Sequence, residues 1–409
     1  MNNISKEICV LIGMIKVALH DEPMAPMQQA DIDYAELFII ATKHSVANTI
    51  ADMICSCCDA PEEVKSDFKK QKGIIVAQRV LMIHALKDLY CRLDENQIQG
   101  VFLKGTLLKD LYPDEFLRSM SDIDVFAEER DMDKIHSIMI ADGYVPGTIG
   151  QGNHYEYSLH DMVKVEYHPE LVALDSEYGK TVFSKLNAGN ETVASYMDIW
   201  NHTIAIEDHT FARQLTPEYH YVYVIMHMLN HFLTAGTGIR SIMDVWVMNS
   251  HYTNKWDRST LDTILARFGL QRFEKYAVAL ADRWFDLSGV ISVDENLNDN
   301  VLEEFERYIL YSGTYGNIEN STATEMDHNM SVGKRFKYLM KAFFRPYSTM
   351  KSLYPVLTKA PFLLPAMWIY RPIDIFHNRR TTAVRKLNAA LKPDVKRVEE
   401  SKSLIDSLL

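Results

Sequence analysis

Two aspartates separated by one residue, Asp122 and Asp124, are where this chain is best equipped for chemistry. Ile123, Val125 and Phe126 around them read as a short buried strand. Alternate side chains of a strand share a face, so both carboxylates point the same way with Ile123 behind them. Two such groups repel, and a divalent cation removes the repulsion. Oxygen ligands with open positions suit Mg²⁺ bridging to phosphates. An Asp-x-Asp pair alone is a weak pattern, because exposed strand edges carry it by chance. Its neighbours strengthen it. Upstream, Phe102-Leu103-Lys104-Gly105-Thr106 offers a cation, close backbone approach and a hydroxyl at a strand-to-helix turn, all suited to a triphosphate. Downstream, Glu166 stands between Val165 and Tyr167 on a later strand that ends in His168. Three acids on adjacent strands can hold two metal ions about 3.5–4 Å apart for in-line phosphoryl or nucleotidyl transfer.

The elements that must position these groups follow from periodicity. Residues 1–95 read as helices, with apolar positions at helical spacing through Leu37, Ile40, Val46, Ile50 and Ile54, and again through Val76, Val80, Ile83, Leu86 and Leu89. Asp31 is the expected N-cap of the helix carrying Tyr34 and Leu37. The period changes after Gly100. Strands are expected at 101–103 and 123–126, a helix at 133–141 that stops at Gly143, and a hairpin of 154–159 with 163–168. Gly147, Gly150 and Gly152 read as a loop near the cleft. A second hairpin pairs 203–207 with 210–215, and Thr216-Pro217-Glu218 opens a helical stretch that runs to about Phe285. A polar loop is expected at 313–333. The order implies an α+β core at 96–215 between a helical region at 1–95 and a helical domain at 216–330, with a basic segment at 331–409.

Composition narrows the function classes. With 409 residues, 47% apolar and 24% charged, the chain is an ordinary folded protein of two or three units. Its longest apolar run, 360–370, is broken by Pro361 and Pro365, whereas a membrane span needs about 20 residues. Ile8 to Ile15 is apolar but flanked by Glu7 and Lys16, which suits an amphipathic helix better than a secretion signal. Cys9, Cys55, Cys57, Cys58 and Cys91 are odd in number and unevenly spaced, so idle thiols in a reducing, cytoplasmic compartment are expected. The net charge of −12 hides an asymmetry: residues 331–409 hold 16 Lys/Arg against 5 Asp/Glu, or +11, leaving −23 on the remainder. An acidic body argues against nucleic-acid binding over the whole surface. The basic segment could serve an anionic partner or make peripheral membrane contact through 343–368, though a Pro-interrupted packing arm is the favoured reading.

His227 and His231 have the i, i+4 spacing of a zinc helix, with His220 two turns earlier, but lack the Glu of the metalloprotease motif. Buried, hydrogen-bonded histidines are the default there. No nucleophile elbow is present for Ser-His-Asp catalysis.

With these residues in view, the chain resembles the nucleotidyltransferase superfamily that includes DNA polymerase β, whose pattern is an apolar strand, Gly-Ser, Asp-x-Asp and a third acid on a neighbouring strand. More closely, it resembles a bacterial family classed as nucleotidyltransferases by sequence alone. The matching residues are Lys104-Gly105, Arg118, Asp122-Ile123-Asp124, Glu166-Tyr167-His168, His227, His231, Arg240 and Asp244. The resemblance implies a polymerase β-like core, a mixed sheet with flanking helices. It implies NMP transfer from an NTP to a hydroxyl acceptor with Mg²⁺, two ions being expected on Asp122, Asp124 and Glu166, the last also a candidate general base. Lys104, Gly105, Thr106 and Arg118 would hold the triphosphate; His168, His227, His231 and Arg240 would line the nucleotide or acceptor cleft, with Asp244 orienting Arg240. The acceptor class it suggests is a sugar, a lipid-linked glycan or a peptide in polysaccharide or peptide biosynthesis. The same fold also serves RNA- and tRNA-modifying enzymes, including toxins, and non-catalytic nucleotide-binding modules. Two departures stand out: Thr106 replaces the usual Ser and keeps the hydroxyl, and Glu166 replaces Asp with a longer reach, which bears on the second metal.

Overall fold

The computed structural model describes residues 4–23, 32–151, 154–172, 177–182, 197–234, 236–286, 296–314, 344, 347, 350, 354, 356–378 and 395–409. Four helices come first: α1 (Lys6–Leu19), α2 (Tyr34–Lys43), α3 (Ala47–Cys57) and the 35-residue α4 (Glu62–Asn96). The cap of α2 is Asp33, whose carboxylate accepts from the amides of Ala35 and Glu36 at 3.0 Å; Asp31, the expected cap, lies outside the described residues. Then β1 (Gly100–Phe102), α5 (Gly105–Leu108), β2 (Ile123–Phe126), α6 (Met132–Ala141), β3 (Val145–Gln151), β4 (His154–Leu159), β5 (Val163–His168), α7 (Glu177–Val182), β6 (Thr203–Ala205) and β7 (Ala212–Leu215) build the α+β part. Helices α8 (Pro217–Thr234), α9 (Ile239–Tyr252), α10 (Arg258–Arg267), α11 (Gln271–Phe285) and α12 (Asp299–Ser312) follow. The C-terminal segment contributes α13 (Val356–Lys359), α14 (Leu364–Asn378) and α15 (Val395–Leu408).

Among the described residues the strands form one seven-stranded sheet in the order β3-β4-β5-β2-β1-β7-β6. It is mixed: β2 runs parallel to β5 and β1 parallel to β7, while the other pairs are antiparallel. The β4–β5 hairpin turns through His160 and Asp161 with φ of 53° and 55°, the left-handed pair that a tight primed turn requires. One expectation fails here. Gly147 and Gly150 lie in the edge strand β3, not in a loop, while Gly152 falls outside the described residues. An edge strand tolerates Pro146 and glycines because half of its ladder is unpaired, and its register with β4 shifts at these positions.

Strand alternation sorts the sheet's two faces. Phe102, Ile123, Val125, Val165 and Tyr167 pack against α4 through Met82, Leu86, Leu89 and Leu93, and against α6 through Met132, Ile135 and Met139. The other residues of β2 and β5, Asp124 with Glu166 and His168, therefore face away from that layer. Val101, Leu103 and Phe126 join a second core in which α1–α3 and α8–α12 pack together. The described residues of the C-terminal segment divide in two. Leu404 and Leu408 of α15 are buried in that second core, whereas Phe362 is 80% and Ile369 72% exposed. None of the five cysteines is in a disulfide. No helix among the described residues is long and apolar enough to cross a membrane.

Candidate active site

The parallel pairing of β2 with β5 puts Asp124 directly beside Glu166 and Phe126 beside His168. Glu166 and His168 are two residues apart on β5 and so share the face of Asp124. One carboxylate oxygen, Asp124 Oδ1, accepts from Lys104 Nζ at 2.8 Å and from His168 Nε2 at 2.8 Å. His168 Nε2 also lies 3.7 Å from Glu166 Oε2. Ligand atoms of Asp124, Glu166 and His168 all fall within 4.8 Å of one another, and no other such group of three occurs among the described residues. Asp122 stands just before the strand, beside Asp124 and within reach of Ser121.

The turn that delivers Lys104 is strained. Lys104 has φ 49° and ψ −123°, a backbone conformation uncommon for a residue with a side chain. Gly105 follows because a Cβ there would collide with the Arg118 guanidinium and the Met120 sulfur. Thr106 lies in the short helix α5 behind this turn, and its buried hydroxyl has no hydrogen-bond partner. His220, at the start of α8, hydrogen-bonds the Lys104 backbone while its buried Nε2 is unpartnered.

Helix α8 faces the acids with Tyr223, His227 and His231, spaced four residues apart on one stripe. Tyr223 is within electrostatic reach of Lys104, Asp124, Glu166 and Asp122, and the two histidines are within reach of Lys104 and Asp124. The His227 and His231 rings meet edge to face, 4.3 Å between centroids. Arg240 donates to the Ser119 carbonyl at 3.2 Å and lies close enough to Asp122 and His231 to influence both.

The electrostatics are those of an acid-rich pocket. Burial, then the charge of Asp124, pushes the Asp122 carboxyl up. Burial followed by Asp124 and Asp122 does the same to Glu166. Asp124 behaves oppositely: burial opposes its charge, but Lys104 and His168 outweigh that and hold it well below the usual carboxylate range. On α8, burial and then Lys104 push His231 down to about 4 and His227 well below its ordinary value, so both rings are neutral near pH 7. Three carboxylates thus crowd one buried pocket, a donor set that fits a divalent cation.

Two expected contacts take a different form. Arg118 is engaged by Asp244, its Nε and Nη2 donating to Asp244 Oδ1 and Oδ2 at 2.7 and 2.9 Å, while it stays within electrostatic reach of Asp122. Asp244 correspondingly holds Arg118, 126 residues away, rather than Arg240 four residues before it on α9. Tyr112 completes this buried group by donating to Asp244 Oδ1 at 2.7 Å. Lys104, Asp122, Asp124, Glu166, His168, His227, His231 and Arg240 are brought together as expected. Tyr223 and Tyr112 were not anticipated. The four-residue step back from His227 would have found Tyr223, whereas no local pattern points to Tyr112.

Comparison with known proteins identifies the lineage. The model of a family described as uncharacterised nucleotidyltransferase matches residues 30–286. The chain belongs to that family. The match contains α2 through α11 and hence every residue of the pocket. No curated protein and no solved structure matches the chain.

Proposed function

We propose that this nucleotidyltransferase-family protein transfers NMP from an NTP to a hydroxyl acceptor in the pocket between β2, β5 and α8, on a polymerase β-like core. The observation that carries this reading is the register pair Asp124–Glu166, flanked by His168 and Lys104, on the sheet face that the α4–α6 layer leaves uncovered. Asp122, Asp124 and Glu166 would hold a divalent cation, Mg²⁺ by the superfamily resemblance, and it would neutralise charge developing on the phosphates. Lys104 and Arg240 supply cationic donors for the triphosphate, and the Gly105-Thr106 turn brings backbone close to it. Arg118 acts through its ion pair with Asp244, fixing the turn rather than touching phosphate. The acceptor oxygen attacks the α-phosphorus, the bond to the bridging oxygen breaks, and pyrophosphate leaves. Glu166, already disposed to bind a proton by burial and by Asp124, takes the acceptor's proton. Neutral His227 and His231 with Tyr223 line the opposite wall, where a base or acceptor can stack and accept hydrogen bonds.

The acid pocket favours catalysis over a binding module, because a nucleotide-holding protein gains nothing from three crowded carboxylates. The −23 charge outside residues 331–409 favours a small or lipid-linked acceptor over RNA. In the cytoplasm the +11 segment and its exposed Phe362 and Ile369 would bring the enzyme to an anionic membrane surface. Flotation with anionic and neutral vesicles tests that, and equal recovery with both would remove it. The function itself is tested by incubating the protein with each NTP and candidate acceptors and weighing the products. Pyrophosphate release and an acceptor heavier by one NMP, both lost in Asp124→Asn, are expected. Turnover unchanged in Asp122→Asn and Asp124→Asn would end the reading.

A further inference from the structure

Resemblance alone would make His168 a neighbour of the nucleotide and leave the metal to three carboxylates. The convergent ligand atoms include an imidazole as well. They belong to Asp124, Glu166 and His168; Asp122 is not among them. His168 Nε2 sits 2.8 Å from one carboxylate oxygen and 3.7 Å from another, separations that two ligands of a single ion can adopt. The arrangement is anchored by the backbone. Asp124 and Glu166 are register partners in neighbouring parallel strands, and His168 follows Glu166 by two residues on the same face. The imidazole is 16% exposed, with the His154 ring 5.8 Å away, so it is sheltered but reachable by an ion.

We propose that His168 is a direct metal ligand, and that the Asp124–Glu166–His168 set makes this pocket select Mn²⁺ over Mg²⁺. The inference deepens the nucleotidyltransferase reading and rests on it. Mg²⁺ demands oxygen donors and gives up water reluctantly, so an imidazole adds little to its binding. Mn²⁺ carries the same charge, accepts carboxylates as readily and bonds imidazole better. Two carboxylates with one imidazole form a mixed donor set, and exchanging a carboxylate for an imidazole shifts affinity toward the transition metal. The same contacts would also arise if His168 merely oriented Asp124 by donating a hydrogen bond. The experiment must separate these roles.

Full-length protein stripped with EDTA and desalted is titrated with Mn²⁺ by electron paramagnetic resonance without NTP, then competed with Mg²⁺. Electron spin-echo modulation reads whether an imidazole nitrogen is bonded to the ion. The wild type is expected to show nitrogen modulation and to bind Mn²⁺ about tenfold or more tightly than Mg²⁺. His168→Ala and His168→Gln should lose the modulation and weaken Mn²⁺ by about tenfold or more, with Mg²⁺ affinity little changed. Gln retains a donor to Asp124, so an orienting role would be rescued by Gln and a ligand role would not. Circular dichroism confirms that both variants remain folded. No modulation in the wild type, modulation surviving in both variants, or equal weakening of both ions would overturn the proposal. Asp124→Asn separates this failure from a deeper one. If it abolishes binding of both ions while the His168 variants bind as wild type, the metal pocket stands and the imidazole ligand falls. If Asp124→Asn binds Mn²⁺ like the wild type, the ion lies elsewhere and the nucleotidyltransferase mechanism fails along with the ligand assignment.

Discussion

Two buried carboxylates, Asp244 and Asp124, sit in the same protein and have been treated oppositely by it. Asp244 is 6% exposed and is met on both oxygens by Arg118 and again by the Tyr112 hydroxyl. One acid faces one cation, the donors are geometrically matched, and the group is closed. Asp124 is 2% exposed, and Lys104 and His168 crowd onto a single oxygen. Around it stand Asp122 and Glu166, both pushed up by burial and by the neighbouring negative charge. Acids outnumber close cations, and the charge is left unbalanced. A folding protein gains from the first arrangement and is burdened by the second, so the second is where a function is to be sought. The closed group supports the open one: Arg118 fills the space that Gly105 leaves, beneath the turn that presents Lys104.

Breaking the open side should cost activity and leave the fold. On the proposed mechanism, Asp124→Asn removes a cation ligand, and the cation would be worth several kcal/mol in the transition state, so turnover should fall by about 10³-fold. The protein should stay folded, though less stable, because Lys104 loses its ion pair with Asp124. A variant that unfolds instead would show Asp124 to be another structural pair, and the contrast with Asp244 would collapse.

Breaking the closed side should do the reverse. Asp244→Ala strands a buried guanidinium, a loss of about 3–5 kcal/mol, which denaturant titration would register directly. Residual folded protein should still bind the cation, because Asp244 does not reach the pocket. An undiminished stability would mean that Arg118 finds another partner.

A gentler cut on the same side is Tyr112→Phe. It removes only the hydroxyl that donates to Asp244, and hydrogen bonds to charged groups contribute about 1.5–3 kcal/mol. Stability should drop by that amount while turnover per folded molecule stays near the wild type. A selective loss of turnover would tie Tyr112 to the chemistry.

The contrast also explains what could be read before the structure. The open side was legible because its parts are local: one residue between Asp122 and Asp124, one between Glu166 and His168, and a strand-to-helix turn at Lys104-Gly105-Thr106. Strand alternation alone places such groups on a common face. The closed side was not legible, since Arg118 and Asp244 meet across 126 residues and the helical four-residue rule pointed Asp244 at Arg240 instead. Strand β3 was missed for a related reason. Pro146, Gly147 and Gly150 carry the punctuation of a loop, and only pairing with β4 at the sheet's edge makes them a strand. The helical stripe of α8 was half visible: the histidines by their spacing, Tyr223 only once the acids were seen to face it.

The smallest expected effect is the one that probes the openness itself. Glu166 is raised above its ordinary value by burial and then by Asp124 and Asp122, so in the cation-free protein its ionised form weakens the fold at neutral pH. Between the ordinary carboxylate value of about 4.3 and its raised one, the folded state holds a proton that the unfolded state has released. Stability from this group is therefore fully present below the ordinary value and is lost as pH rises through the raised one. Glu166→Gln keeps the shape and removes the charge. It should make the cation-free protein slightly more stable than the wild type at pH 7, with the gap closing as pH falls toward 4. Added divalent cation should reverse the order, because the wild type then gains a ligand interaction that Gln cannot match. Chemical denaturation at several pH values, with EDTA and with cation, measures all three. If Gln destabilises the cation-free protein at pH 7, Glu166 is already neutralised by its surroundings, and the pocket is as closed as the one around Asp244.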